Sequence, residues 1–505
     1  MTRISIWGAP GCGKTTRLIK EFVKQPENTL LTTFRRNTAN EIRGRLSEST
    51  QIDFDILESN IKTIHGECYT LLGGKGYAKV VNSAALKEFS SEAGYKVKAQ
   101  NYNNPGRGLM DCHAWLANTG TPLKMVWKYP NFRELKISPS TATDSLKHYG
   151  EWKIENGYID FTDMLTDAYE QGLVPEQNIL MDDEFQDQTY LQNKIINTWA
   201  EDMDQVIIAG DPLQSLYGFW GGSPDYFEQF QGELEVLPVS HRLTPEIWNF
   251  GAEVVRFNGM QPPDIETSHR HGIIKQLNER DYFAHVELWE GVPGNTAFHL
   301  VRSNYQAPSI AFTMAENGIL WNGLYGWSYT ELCVFNAIIL VRNGQWLEKE
   351  HFRALVDTYP LKYFDFEGTK KELKESINKI STSDCQLYMT FQLYQILKSA
   401  DSVAHMSNPG KLIVAKINNA LVRYRRPLSG KDFHTTLTTI HGSKGLEANK
   451  VFLHTEITQT IRKSKRKDSA AEARVFYVGI TRARNELYIV KNRGPNNYRL
   501  PMVVA

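Results

Sequence analysis

Gly8-Ala9-Pro10-Gly11-Cys12-Gly13-Lys14-Thr15, followed by Thr16, decides the fold of this chain. The stretch fits G-x-x-x-x-G-K-[ST] in the setting that gives the pattern meaning. It leaves an apolar run, Ile4 to Trp7, and enters a helix-forming run, Lys14 to Lys24. Its glycines let backbone N–H groups turn inward around phosphate oxygens, Lys14 supplies a point charge, and Thr15 offers a hydroxyl to Mg²⁺. Cys12 lies inside the loop with no neighbouring base to activate it, so no catalytic role is expected of it.

Working outward, Thr29 to Phe34 predicts a second strand and Thr38 to Leu46 the helix after it, which is the alternation of a parallel sheet with crossover helices. The rhythm returns at Ile179 to Met181 and Gln205 to Ala209. In the intervening stretch, roughly residues 70 to 160, composition shifts toward Lys, Asn, Gly and aromatics, which predicts an inserted helical subdomain. Phe298 to Val301, Thr435 to Ile440 and Val451 to Leu453 predict a second unit of the same kind. It too is interrupted, by a segment rich in helix formers such as Lys371-Glu372-Leu373-Lys374-Glu375. The expected fold is therefore α/β. One parallel-sheet domain comprises residues 1–70 and 160–240 with an insertion at 71–159, and the other comprises 241–334 and 432–505 with an insertion at 335–431.

The chain has 505 residues, too many for one hydrophobic core. Its 41% hydrophobic and 23% charged residues are ordinary for a globular protein, and no apolar run approaches about 18 residues, so no membrane span is expected. Met1 to Trp7 runs straight into the glycine loop and leaves no room for a signal peptide, which predicts a cytoplasmic location. Five scattered cysteines without a C-x-x-C pair predict reduced thiols rather than a disulfide framework or a zinc site. Lys+Arg and Asp+Glu balance at 57 each, so any nucleic-acid contact must rest on a local basic track. The run Arg462 to Lys467 is the densest charge cluster and reads as a solvated loop, with a phosphate contact as the alternative.

Asp182-Asp183-Glu184-Phe185-Gln186-Asp187 follows the strand Ile179 to Met181 and places carboxylates at the carboxyl edge of a parallel sheet, where such folds bind ligands. One acid can hold magnesium while its neighbour activates water.

Taken together, these motifs resemble the UvrD/Rep/PcrA helicases of superfamily 1, in that family's order over nearly the whole chain. Thr33-Phe34 through Ile42 resembles T-F-T-N-K-A-A-x-E-M, Thr63-Ile64-His65 resembles T-x-H, and Ile159 to Leu165 resembles D-F-D-D-L. Asp183 to Asp187 matches D-E-[FY]-Q-D, Gly210 to Tyr217 matches G-D-x-x-Q-S-I-Y, and Ser240-His241-Arg242 stands where the family has N-Y-R. Thr439 to Glu447 and Phe476 to Arg484 are close to T-x-H-x-[SA]-K-G-L-E and Y-V-[AG]-[IL]-T-R-A.

The resemblance implies two RecA-like domains with ATP between them. By the same resemblance Lys14 and Thr15 hold phosphate and Mg²⁺, Asp183 helps to hold the metal, Glu184 is the general base and Gln214 senses the γ-phosphate. Arg242 and Arg482 act as arginine fingers, Gly445 and Glu447 line the nucleotide site, and His241 replaces the tyrosine that stacks on the base. Phe34, Tyr217 and Phe219 fall where the family stacks DNA bases, and Thr63 and His65 where it touches the DNA backbone. Asp182 departs from the family's apolar residue.

The implied activity is an ATP-dependent 3′→5′ translocase and helicase acting on single-stranded DNA and single-strand/duplex junctions. It would work as a monomer with a possible replication or repair partner. The alternative is a DNA-dependent ATPase that clears protein–DNA complexes with little strand separation.

Overall fold

A computed structural model describes residues 2–92 and 105–501. Residues 93–104 of the expected first insertion lie outside that description. The chain divides into two compact units. The first comprises residues 1–242, 258–268 and 470–475, and the second residues 243–257, 269–469 and 476–505.

The strands in chain order are β1 Thr2–Trp7, β2 Thr29–Thr33, β3 Ile61–Thr63, β4 Lys79–Val80, β5 Tyr158–Ile159, β6 Ile179–Asp183, β7 Gln205–Gly210, β8 Glu233–Val236, β9 Ile273–Asn278, β10 Ala297–Val301, β11 Trp321–Gly323, β12 Thr435–Thr439, β13 Ala448–His454 and β14 Ala483–Lys491. Six of them form the first unit's sheet in the order β3-β2-β6-β7-β1-β8, every neighbouring pair parallel. Strands β2 and β6 are buried at every residue, as a sheet covered on both faces requires. Since all six run the same way, the loops leaving β3, β2, β6, β7 and β1 emerge side by side on one carboxyl edge.

The helix Lys14–Phe22 packs Leu18 and Phe22, one turn apart, into the core. The expected first insertion contains the helices Ser83–Glu92, Pro105–Thr119 and Pro139–Asn156, along with the short parallel pair β4/β5. Lys153, 3% exposed, anchors it. Its ammonium lies 2.7 Å from Asp160 and 2.6 Å from Asp163, the two residues that form the capping box of helix Phe161–Glu170.

The second unit repeats the all-parallel plan in the order β11-β12-β10-β13-β14-β9. Its insertion is built around helix Tyr329–Arg342, which buries Val334, Phe335, Ala337, Ile338, Ile339 and Val341 and is thus apolar on most sides. Asn336 is the polar exception and is satisfied in both directions. It donates to the carbonyl of Leu428 at 2.9 Å and accepts that residue's amide at 2.8 Å.

Arg242, expected in the second domain, falls in the first unit, and two local elements also differ from the sequence reading. The strand carrying the acids runs on through Asp183, so Asp182 and Asp183 belong to β6 rather than to the turn after it. The basic run is not a loop. Residues Gln459–Lys465 form a helix capped by the Thr458 hydroxyl, with the Lys465 ammonium 4.0 Å from the Tyr498 ring centre. No helix among the described residues is long and apolar enough to cross a membrane.

Candidate nucleotide and nucleic-acid site

The glycine loop is shaped by two left-handed residues, Gly11 at φ +80° and Gly13 at φ +83°. A side chain at Gly11 would also meet the Arg242 Cβ at 2.3 Å, so this position needs glycine on both counts. Gly13 opens helix Lys14–Phe22 with no side-chain cap. The first-turn amides and the positive end of the helix dipole are therefore directed at the loop, which is the arrangement that holds a phosphate. Lys14 is 9% exposed and donates to the Gly8 carbonyl at 2.7 Å. The Ser240 hydroxyl donates to the Pro10 carbonyl at 2.6 Å, and the His241 amide to the Gly11 carbonyl at 3.0 Å. Ala9, Pro10 and Cys12 are buried and Thr16 is exposed. Burial pushes the Cys12 thiol up to about 11, against the pull of Lys14 and Arg242, so it is no thiolate at neutral pH.

Asp183, at the end of β6, accepts the Thr15 hydroxyl at 2.7 Å and the Glu184 amide at 3.0 Å. Burial, reinforced by the Glu184 carboxylate, raises its pKa against the opposing effects of Thr15 and Lys14. Thr15 and Asp183 together offer hard oxygen donors of the kind Mg²⁺ takes. Glu184 is a non-glycine residue in the left-handed region, φ +64°. Such strain persists where the surroundings impose it, and here Gln186 does so, its amide donating to the Glu184 carboxylate at 2.6 Å. The Gln186 side-chain oxygen Oε1 in turn accepts the Asp211 amide at 2.9 Å, and a Cβ on Gly210 would lie only 2.5 Å from that oxygen.

Asp211 organises the loop after β7. It accepts the Gln214 side-chain amide at 2.8 Å, the Trp7 indole at 3.2 Å and the Leu213 amide at 3.1 Å. Burial raises its pKa, with Lys14 foremost among the groups opposing the shift. In this way Lys14, Thr15, Asp183, Glu184, Gln214 and Arg242 are gathered on the carboxyl edge of β6, β7 and β1 within one unit. The motif reading did not single out Trp7, Gln186, Asp211 or Ser240. Asp211 was visible inside the quoted G-D-x-x-Q-S pattern, whereas Trp7 bonds to a residue 204 positions away.

The neighbouring strands carry the candidate nucleic-acid residues. Phe34, just past β2, stacks on Tyr217 with ring centres 5.0 Å apart and planes 28° apart. Tyr217 leads on to Phe219 at 6.1 Å, and Phe219 is 53% exposed. The Arg35 guanidinium hydrogen-bonds the Tyr217 hydroxyl and lies 5.8 Å from that ring's centre. At the end of β3, the Thr63 hydroxyl caps helix Ile64–Leu71 by accepting the Gly66 amide at 3.1 Å, and its own proton is still able to donate. His65 is half-buried by surface, edge-on to Phe161 at 6.0 Å. Loss of solvent around its ring holds the imidazole down to about 4 and hence neutral.

Gly445, Glu447 and Arg482 belong to the second unit. Gly445 is left-handed at φ +84°, and Glu447 pairs with Arg484 at 3.3 Å. Arg482 is 1% exposed and donates to the carbonyls of Val478 and Leu446, both at 3.1 Å, which satisfies a carbonyl at the end of helix Ser469–Ile480.

Comparison with known proteins agrees with this geometry. Residues 1–235 match the UvrD/REP helicase N-terminal domain, and residues 347–494 match the UvrD-like helicase C-terminal domain. A protein of Mycoplasma pneumoniae named "Probable DNA helicase II homolog" is 24% identical over 46% of this chain. The "ATP-dependent DNA helicase UvrD2" of Mycobacterium tuberculosis is 22% identical over 60% of it. The aligned stretches span 36% and 46% of those relatives' own lengths. A Mycoplasma capricolum protein, also named "Probable DNA helicase II homolog", is 21% identical over 97% of this chain and 82% of its own length. With both family domains matched in order, and with the glycine loop, the paired acids and the aromatic stack all on one sheet edge, the chain belongs to the UvrD-like helicase family.

Proposed function

We propose that this protein is an ATP-driven motor that translocates 3′→5′ along single-stranded DNA and unwinds duplex at single-strand/duplex junctions. The observation that carries the reading is the order of residues along the first sheet's carboxyl edge. Thr63 ends β3 and His65 follows it, Phe34 follows β2, Asp183 ends β6 and Glu184 follows it, Gln214 follows β7 and the glycine loop follows β1. Nucleic-acid residues thus follow β3 and β2, the acids come with β6 and the nucleotide residues with β7 and β1, while Tyr217 and Phe219 of the loop after β7 join the first group because Tyr217 stacks on Phe34.

In this reading Lys14 and the loop amides bind the phosphates, and Thr15 and Asp183 hold Mg²⁺, which when bound neutralises charge on the transferred phosphoryl group. Glu184 accepts a proton from the attacking water. Gln214 reports on the terminal phosphate, Arg242 and Arg482 stabilise charge developing there, and His241 with Glu447 and Gly445 contacts the nucleoside. Phe34, Tyr217 and Phe219 stack bases at roughly 1 to 3 kcal/mol each, without regard to sequence, which suits a motor that must grip and release every base. Closing of the two lobes on ATP would couple hydrolysis to the step along DNA. The protein acts as a monomer in the cytoplasm, with a replication or repair protein as partner.

The test is steady-state ATP hydrolysis with single-stranded DNA, single-stranded RNA and duplex, beside strand displacement on 3′- and 5′-tailed duplexes. Single-stranded DNA stimulates most and only the 3′ tail supports unwinding. Stimulated hydrolysis without strand separation would instead support the protein-clearing ATPase, and no stimulation by any polymer would defeat the motor.

A further inference from the structure

The proposed chemistry leaves Asp182 without a task. It is wholly buried in β6, where an apolar side chain would fill the same space. Its register partner is Thr32 of β2. One carboxyl oxygen accepts the Thr32 hydroxyl at 2.5 Å, and the other accepts the Gln188 side-chain amide at 2.7 Å. Neither donor is charged, and the Gln188 side-chain oxygen is itself buried with no hydrogen-bond partner. Burying a carboxyl on two neutral donors, with an amide oxygen left over, is a costly arrangement relative to the apolar alternative.

Its position suggests what the arrangement is for. Thr32 stands two residues before Phe34, and Asp182 stands immediately before Asp183. Gln188 follows the Glu184 turn and precedes Thr189, which bridges to Gly222, and the Gly222 amide donates to the Tyr217 carbonyl at 3.1 Å. The one carboxyl group therefore ties together the strand that leads to the aromatic stack, the strand that delivers the acids, and the turn that continues to the other half of the stack.

We infer that Asp182 is a positioning residue that couples nucleic-acid stacking on Phe34 and Tyr217 to the placement of Asp183 and Glu184, through its side-chain bonds to Thr32 and Gln188. The inference rests on the proposed function, since it presupposes hydrolysis stimulated by a single strand. Asp182 touches no reacting atom. It fixes the offset between the ends of β2 and β6, so a shift at the stack is passed to the acids rather than absorbed in the sheet.

The experiment compares wild type, Asp182→Val, Asp182→Asn, Thr32→Val and the double variant Thr32→Val/Asp182→Val as full chains. Basal ATPase, single-strand-stimulated ATPase and the DNA concentration for half-stimulation are measured for each. Asn keeps an acceptor for Thr32 and gains a donor for the Gln188 oxygen once that amide turns over, so it serves as the conservative rescue. Asp182→Val should leave basal hydrolysis within about 2-fold while the stimulation factor falls about 10-fold. Asp182→Asn should recover most of that factor, and Thr32→Val should reproduce the loss with no further loss in the double variant. Stimulation kept at the wild-type factor in Asp182→Val and Thr32→Val overturns the inference. So does an equal loss of basal and stimulated rates, which is the signature of a merely structural role. Should Asp182→Val not fold, Thr32→Val and Asp182→Asn decide on the same readouts. Failure of wild type to respond to any polymer defeats the underlying reading instead, and is told apart by the first measurement.

Discussion

The two units share a six-stranded all-parallel sheet and bury opposite chemistries in it. The first buries carboxyl groups, Asp182, Asp183 and Asp211, beside a glycine loop and Lys14. The second buries imidazoles. His299 lies flat on Phe452 at 4.6 Å, and its neutral tautomer uses both nitrogens, Nε2–H donating to the Trp289 carbonyl at 3.0 Å and Nδ1 accepting the Tyr282 hydroxyl at 2.7 Å. His454, at the end of β13, stands edge-on to Tyr282 at 4.7 Å. The second sheet also has a cavity at its carboxyl edge, about 220 Å³, but it is lined by Glu279 and Glu456 along with Tyr282, Phe283 and Tyr305. Those carboxylates would repel a polyphosphate. Sharing a fold, then, does not mean sharing a site. Loop chemistry at the strand ends suits one sheet's edge to a polyphosphate and makes the other's edge acidic.

The largest way to break this contrast is at Arg482. Arg482→Ala should lower ATPase kcat on the order of 10³-fold or more while nucleotide affinity changes little, measured by steady-state kinetics beside equilibrium binding of a fluorescent ATP analogue. If it only caps helix Ser469–Ile480, the melting temperature falls and kcat stays. Next is Glu184→Gln, where loss of the base should reduce kcat about 10²- to 10³-fold with ATP still bound. A variant with near-wild-type turnover would move the base elsewhere in the first unit.

Acid should separate the units. Burial holds His299 and His454 down to about 3, so their contribution is present above the ordinary histidine pKa and is lost progressively as pH falls from about 6.5 toward 3. Burial instead pushes Asp182 up to about 7, so its contribution is largest at low pH and is lost as pH rises through 7. His65, held down to about 4, and Asp160, held despite its burial well below the usual carboxylate range by His113 and Lys153, oppose this within the first unit, but neither lies on β6 or β7. Hydrogen exchange corrected for intrinsic rate should therefore show β10 and β13 losing protection between pH 6.5 and 4 before β6 and β7 do. Equal loss in both would remove the electrostatic contrast. The smallest effect expected is at the stack. Phe34→Ala should raise the single-strand concentration for half-stimulation about 10-fold, the worth of one stacked base, with basal ATPase unchanged.

The sequence disclosed those parts of the fold whose signal is local. Strands such as Thr29–Thr33 and Gln205–Gly210 are continuous apolar or β-branched runs because both faces of the sheet are covered. Edge strands β8 and β9 are mostly exposed, carry no such run and went unread, and β14 was hidden behind the arginine motif that it follows. The glycine loop and the acids were legible because each motif is contiguous. The bonds that hold them were not. Thr32 meets Asp182 across 150 residues and Trp7 meets Asp211 across 204, and only the β2-β6-β7-β1 order brings such pairs together. Arg242 shows the same limit. Expected in the second domain, it packs beside Gly11 and falls in the same compact unit as the loop.

The most direct test of the central claim, that nucleotide is held at the first sheet's carboxyl edge and not the second's, is hydrogen exchange of the full chain with and without Mg²⁺ and a slowly hydrolysed ATP analogue. Exchange should slow across Gly8 to Thr16 and at Glu184 and Asp211, with the segments around Glu279 and Glu456 unchanged. Slowing at the second sheet's edge, with the glycine loop unaffected, would contradict the account.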